Sequence, residues 1–263
     1  MMQQALDFRE ECDVLATLLE PLGDDDWGRA TKFKAWSVDD VIAHLHFFNV
    51  AADWALTKPA AFDELLAELF EAMNGNEGHL AFSHRWLEGT KGRALFELWR
   101  GYYPEMAERF AAADPDARVK WAGPDMSVRM SITARQMETW AHGQALFDLL
   151  RKPRAESDRL KNIAVIGVKT YGWTFANRKM EPPGPPPHIR LTAPSGGVWE
   201  FNDPSSDNLV VGDAIDFCQV VAQTRNVTDT GLALTGEPAK AWMEIAQCFA
   251  GPPEDPPPRG ERG

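Results

Sequence analysis

From Gln3 to about Leu150 the apolar residues of this chain recur every three to four positions. They are interrupted only at PLGDDD (21–26), KPA (58–60), EGTKG (88–92) and ADPDA (113–117). Half-buried strands would alternate at a period of two, so a pattern this long admits little besides packed α-helices. The punctuation predicts helices over 3–20, 37–57, 61–88, 91–112 and 127–151: four main helices with a further one in the middle region. Ser37, ahead of VDDVIAHL, reads as the N-cap of the second helix, with Asp39 and Asp40 in its first turn favouring the positive end of the helix dipole. Ser127 serves the last helix in the same way.

The character changes after Lys152-Pro153. A helix over 156–178 leads into EPPGPPP, which cannot continue it. HIRLTAP and GVWEF then read as two strands joined at Ser195-Gly196-Gly197, a hairpin signal. A strand NLVV, a helix over 213–225, a strand LALTG and a helix over 238–249 follow. The tail, GPPEDPPPRGERG, has the composition of a disordered segment. The expected organisation is α+β: a helical bundle over 1–153, a smaller α+β domain over 154–251 and a disordered tail over 252–263.

With 44% hydrophobic residues among 263, the chain has enough apolar material for a sizeable core. Its net charge of −12 excludes a phosphate-tracking surface, and with it nucleic acid as a partner. The first twenty residues carry acids where a signal peptide carries bases, and no apolar run approaches the ~18 residues a membrane span needs. Cys12, Cys218 and Cys248 are odd in number and far apart, so they form neither a disulfide framework nor a metal knuckle. A cytoplasmic protein, monomer or homodimer, is expected.

Two polar groups interrupt this bland picture. On the second helix Val41, His44, Leu45, Phe48, Ala52 and Ala55 share a stripe, so His44 points inward, whereas His46 falls with Asp39, Asn49 and Asp53 on the opposite face and is expected in solvent. On the last helix Glu138 and His142 stand one turn apart among Ser131, Ala134, Ala145 and Leu149. A carboxylate on such a face is costly unless paired or bound to a cation. Taken alone, the ExxxH spacing is common, and the plainer reading has Glu138 pairing with Arg135 and His142 sitting in the core. His79 and His84 are five apart, about 140° around a helix, and read with His188 as structural or solvated. The tryptophans read as packing anchors, although Trp121, in the turn before the last helix, is placed to line a cleft mouth.

WSVDDVIAHL (36–45) and ARQMETWAHGQ (134–144), each on its own helix and in this order, resemble the DinB-like superfamily, in the branch that contains mycothiol-dependent maleylpyruvate isomerase. VVGDAIDFCQVVAQTRN and TGLALTGEPAKAWMEIAQCFAGPP resemble that branch's C-terminal α+β domain, so the likeness spans nearly the whole chain. It implies a four-helix bundle holding a divalent metal, with His44, Glu138 and His142 as ligands. Three protein ligands leave a position open, as catalytic zinc sites do. Zn2+ is the first choice, and Ni2+, Mn2+ and Fe2+ suit the same set. The resemblance further implies a low-molecular-weight thiol as cofactor, a small anionic substrate, and Arg225 as the residue that binds the substrate's carboxylate, whereas the sequence alone reads Arg225 equally as an exposed cation at a helix C-terminus, favoured by the dipole. Relatives commonly read HGQD where this chain has Ala145 after Gln144, which removes a polar group one turn from the metal. The function so implied is that of a thiol-dependent isomerase or S-transferase, with a non-catalytic metal-binding protein or scaffold as the alternative.

Overall fold

The helical period of the first 150 residues is realised as six α-helices in the computed structural model of the chain, which describes residues 1–262 apart from 76 and 124. These are α1 (Gln3–Leu19), α2 (Val38–Thr57), α3 (Pro59–Asn74), α4 (His79–Trp86), α5 (Gly92–Ala112) and α6 (Val128–Leu150). Both α1 and α2 pack against α5 and α6, closing a four-helix bundle, and α3 and α4 add to the flank of α2. Ser37 caps α2 through a capping box: its Oγ accepts from the Asp40 N–H at 3.1 Å, while Asp40 Oδ2 accepts from the Ser37 N–H at 2.8 Å. Ser127 Oγ accepts from the Met130 N–H at the start of α6. Just before it, β1 (Arg118–Val119) and β2 (Met126–Ser127) form a short antiparallel pair.

The single helix expected over 61–88 is two. The first begins at Pro59, whose missing N–H costs nothing in a first turn. It ends at Gly75, and Gly78, at φ 77°, holds a left-handed conformation that an α-helix cannot contain. No helix among the described residues is long and apolar enough to cross a membrane.

The chain enters α2 through a tight hairpin. Ala30 bridges to Ser37, the Thr31 N–H donates to the Trp36 carbonyl at 2.7 Å, and the Trp36 N–H donates to the Phe33 carbonyl at 2.9 Å. At its tip Lys34 and Ala35 take φ of 50° and 54°. Two successive left-handed residues are what a type I′ turn requires, and Asn-Gly is the pair that adopts it most readily. With a Cβ on each, Lys34 and Ala35 hold strain of about 1–2 kcal/mol apiece.

The chain from Arg151 onward forms a second compact unit. A 3-10 turn (Asp158–Leu160) precedes α7 (Lys161–Lys169) and α8 (Tyr171–Asn177). The helix expected over 156–178 therefore breaks at Thr170, whose hydroxyl turns back to the carbonyls of Ile166 and Gly167. The strands β3 (His188–Thr192), β4 (Val198–Phe201), β5 (Leu209–Asp213) and β6 (Ala233–Thr235) form one sheet in the order β4-β3-β5-β6. The β3–β4 hairpin turns at Ser195-Gly196-Gly197, β5 returns parallel to β3, and β6 pairs antiparallel with β5. Between β5 and β6 comes α9 (Ala214–Val221), and α10 (Glu237–Met243) follows β6. Gly167 lets α7 close on α9: a Cβ there would lie 2.8 Å from Val221 Cγ2.

The tail departs from the expected disorder. The Gln223 amide donates to the Glu254 carbonyl (2.8 Å), the Asn226 amide to the Pro257 carbonyl (2.9 Å), and the Gly260 N–H to Asp229 (2.7 Å). Pro257 is buried. A proline-rich segment has few N–H groups to satisfy, and here side-chain amides meet its carbonyls, which composition alone does not reveal.

Replacing Ala35 by Gly removes a Cβ from a left-handed position. Ala35→Gly is expected to stabilise the protein by about 1 kcal/mol, the lower end of the strain, since glycine also gains freedom when unfolded. Thermal denaturation checks this, and a lowered midpoint would count against the strain.

Candidate metal centre

Helical phase brings His44 of α2 and the Glu138–His142 pair of α6 face to face. Glu138 Oε2 lies 3.3 Å from His44 Nε2 and 3.1 Å from His142 Nε2, and one ligand atom from each residue falls within 4.8 Å of the others. Donors around a tetrahedral zinc with bonds of 2.0–2.2 Å sit about 3.3–3.5 Å apart, so the cluster has metal-site dimensions. His44 is buried, while Glu138 and His142 keep part of their side chains open, 22% and 13% exposed. The site is therefore accessible on its α6 side.

The electrostatics suit cation binding. Burial pushes the His44 pKa down to about 3, with the neighbouring His142 adding to the effect, so the ring stays neutral and its lone pair is available. Burial alone would raise the Glu138 carboxyl, but its bonds to His142 and His44 outweigh that and hold it well below the usual range. A neutral imidazole and an ionised carboxylate are the protonation states in which these groups ligate.

The alternative pairing of Glu138 with Arg135 is not what the fold adopts. Arg135, one turn before Glu138 on the same side of α6, turns instead to α2: it is buried, donates from Nε to Asn49 Oδ1 at 3.0 Å, and lies 5.9 Å from the Phe48 ring. Gln144 turns along the helix to Asp148 at 2.9 Å. Arg225 follows α9 in the second unit, half-buried, with Nη1 on the Thr224 carbonyl at 2.8 Å.

Several neighbours of the site escape a reading of the sequence. Trp36 lies parallel to the His142 ring, with centroids 5.4 Å apart and planes at 8°, and 5.3 Å from His44. Phe33 meets His142 edge-on at 5.1 Å, and Phe48 sits 4.8 Å from His44. His79, expected to be structural or solvated, lies 5.6 Å from His44. Only the proximity of WSVDD to a candidate ligand hinted at Trp36. Trp121 stacks on Phe62 and reaches the site at one remove, through Phe48 at 6.2 Å. His84 instead binds Asp40 at 2.6 Å and ties α4 to the α2 cap.

The expectation for His46 needs correction: it is buried, 3% exposed. The polar face of α2 meets α5, where Tyr102 packs edge-on against His46 and donates to Asp53 at 2.7 Å, and Arg109 forks onto Asp53 at 2.8 and 2.9 Å. Both helices pair polar residues seven apart (46 and 53, 102 and 109), two turns on one face, and that shared spacing was the missed signal. Amphipathicity assigns a polar face to solvent, but a polar face opposite another polar face can be interior.

These features define a class: a two-histidine, one-carboxylate centre in a helical bundle joined to an α+β unit. The sequence model described as the mycothiol maleylpyruvate isomerase N-terminal domain matches residues 8–147, more than half of the chain, and the chain belongs to that family. It is 34% identical over 247 residues to an uncharacterized protein of Mycobacterium tuberculosis, found in strains H37Rv and CDC 1551, covering 94% of this chain and 95% of that one. Among solved structures it resembles a crystal structure of the mycothiol-dependent maleylpyruvate isomerase, with a TM-score of 0.55 at 14% identity over 88% of this chain and 91% of the other. A point variant of that enzyme matches equally, covering 90% and 94%. At this identity the likeness is one of fold.

Burial lowers the His46 pKa from 6.5 to about 4. Between those values the unfolded state binds more protons than the folded one, so stability falls as pH falls, by up to about 1.4 kcal/mol per pH unit. His46→Phe is expected to flatten this slope in urea titrations between pH 7 and 4.5. An unchanged slope would mean that His46 takes up its proton in the folded state.

Proposed function

We propose that this chain is a divalent-metal-dependent enzyme that employs a low-molecular-weight thiol to act on a small electrophilic substrate, as an isomerase or an S-transferase. The observation that carries the reading is the convergence of His44, Glu138 and His142 at coordination spacing with an open side. Zn2+ suits this donor set best, and Ni2+, Mn2+ and Fe2+ are compatible with it. A bound divalent ion would supply Lewis acidity that lowers the pKa of a coordinating thiol. The protein's part is to hold that position: His44 offers a neutral lone pair, His142 supplies a second ring nitrogen, and a bound dication set against the single Glu138 charge would leave the site net positive toward an incoming sulfur anion.

The chain's own cysteines do not fit the nucleophile's role. All three are buried, and burial pushes the Cys12 and Cys218 thiols well up, the opposite of a reactive thiolate. An exogenous thiol fills that gap, in keeping with the mycothiol dependence of the maleylpyruvate isomerase whose fold this chain resembles. To Arg225 we assign the anionic part of the substrate, through a bidentate pair that a planar guanidinium forms and an ammonium does not.

Protein purified without chelator is expected to carry about one divalent metal per chain. His44→Ala should lose it and His46→Phe should keep it. Metal analysis decides, and substoichiometric content that added Zn2+, Mn2+, Ni2+ or Fe2+ fails to restore would sink the reading. Arg225→Lys should retain fold and metal yet weaken binding of carboxylate-bearing electrophiles roughly tenfold or more, the loss of about 1.5–3 kcal/mol typical of a charged hydrogen bond. Unchanged binding and turnover would remove Arg225 from the site, and metal and thiol binding without any turnover would favour a non-catalytic carrier.

A further inference from the structure

We infer that Trp36 is a positioning residue for the histidines of the metal centre, and that the strained 30–37 hairpin exists to hold its ring there. The inference rests on the metal-centre reading above. Metal-ligating histidines almost always donate their second ring nitrogen to a carboxylate, a carbonyl or water, and that bond fixes the plane of the ring. His44 departs from this: Nδ1 is buried and has no hydrogen-bond partner among the described residues. What surrounds the imidazoles instead is aromatic. Trp36 lies flat on His142, with planes at 8°, and 5.3 Å from His44; Phe33 closes on His142 from its edge at 5.1 Å, and Phe48 closes on His44 at 4.8 Å.

Imidazole χ2 is a soft torsion, so without a hydrogen bond the ring plane is set by what packs against it. Trp36 packs against both histidine ligands, and it is itself 9% exposed. Its backbone is pinned on both sides, by the 2.7 Å bond from Thr31 to its carbonyl and the 2.9 Å bond from its N–H to Phe33. The left-handed pair Lys34 and Ala35 makes the turn short enough to present Phe33 and Trp36 to the same imidazole. Strain retained beside a site is the pattern expected where geometry is under functional demand. Ser37, the next residue, caps α2, so the hairpin and His44 are joined through one rigid element.

The test is zinc affinity, by competition with a chromophoric chelator, together with the visible d–d absorption of the Co2+-loaded protein. Trp36→Leu is expected to weaken zinc binding roughly ten- to hundredfold, the range seen when groups that orient metal ligands are removed, and to alter the Co2+ bands. Trp36→Phe, which keeps a flat ring, should recover most of the affinity. Phe96→Leu, a buried ring of the same unit that packs on Trp27 and Trp99, should lower the melting temperature but leave zinc affinity nearly unchanged. The inference is overturned if Trp36→Leu binds like wild type, if Trp36→Phe does no better than Trp36→Leu, or if Phe96→Leu loses affinity alongside stability. Should Trp36→Leu fail to fold, Phe33→Leu carries the test: a severalfold weakening supports the inference and unchanged affinity overturns it. Wild-type protein that binds no divalent metal brings down the metal-centre reading itself, whereas tight wild-type binding with indifferent Trp36 variants removes only the role of Trp36.

Discussion

A carboxylate set between two imidazoles inside a helical bundle is the constraint around which the N-terminal unit is organised. Glu138 cannot stay charged in such a place unless something meets its charge, and His44 and His142 approach the same oxygen from two different helices. That requirement fixes the relative rotation and height of α2 and α6. A slip of one residue along either helix turns its polar group by 100° and strands the others. The small residues around Glu138 belong to the same requirement, since the helices must come close enough for three short polar side chains to converge.

The second face of α2 answers a similar demand in another way. Asp53, buried, is met by the Arg109 fork and the Tyr102 hydroxyl of α5. Breaking such a pair by removing one partner leaves an uncompensated buried charge, which is strongly destabilising. The helix is thus clamped from both sides, by α5 at its back and by the Glu138 and His142 side chains at its front. Its N-terminus is held by the capping box, to which His84 is also tied through Asp40. A site built on so restrained an element keeps its geometry without help from flexible loops.

The thiol chemistry proposed for this family member draws on what the protein leaves out as well as on what it supplies. Ionised Glu138 and neutral His44 are ready to ligate, yet all three cysteines are buried, with the Cys12 and Cys218 thiols pushed up. With a divalent ion held as proposed, a fold that buries its own thiols would be suited to activating a sulfur brought from outside. The two-histidine, one-carboxylate set leaves coordination open for it.

Much of this was legible from one dimension. Apolar periodicity is a local property of each helix, so the bundle helices, the Ser37 and Ser127 caps, the β3–β4 hairpin and the inward phase of His44 could all be read from the residues. The spacing of Glu138 and His142 placed them on one face, and resemblance joined them to His44. Other features arise only when distant segments meet. Whether the polar back of α2 faces water or the Tyr102 and Arg109 of α5 depends on which helix lies beside it, and for that reason His46 is interior. The left-handed Gly78 ahead of α4 and the stop at Thr170 depend on single backbone conformations, to which an average over a helical window is blind. The proline-rich tail is ordered by amides of Gln223 and Asn226, about thirty residues upstream, and Trp36 reaches His142 through a left-handed turn no propensity would assign to Lys-Ala. Sequence thus determined which groups each element carries and on which face, because helical phase is intrinsic to the element. Tertiary structure decided which faces are interior, because burial is a property of pairs of elements and neither partner encodes it alone.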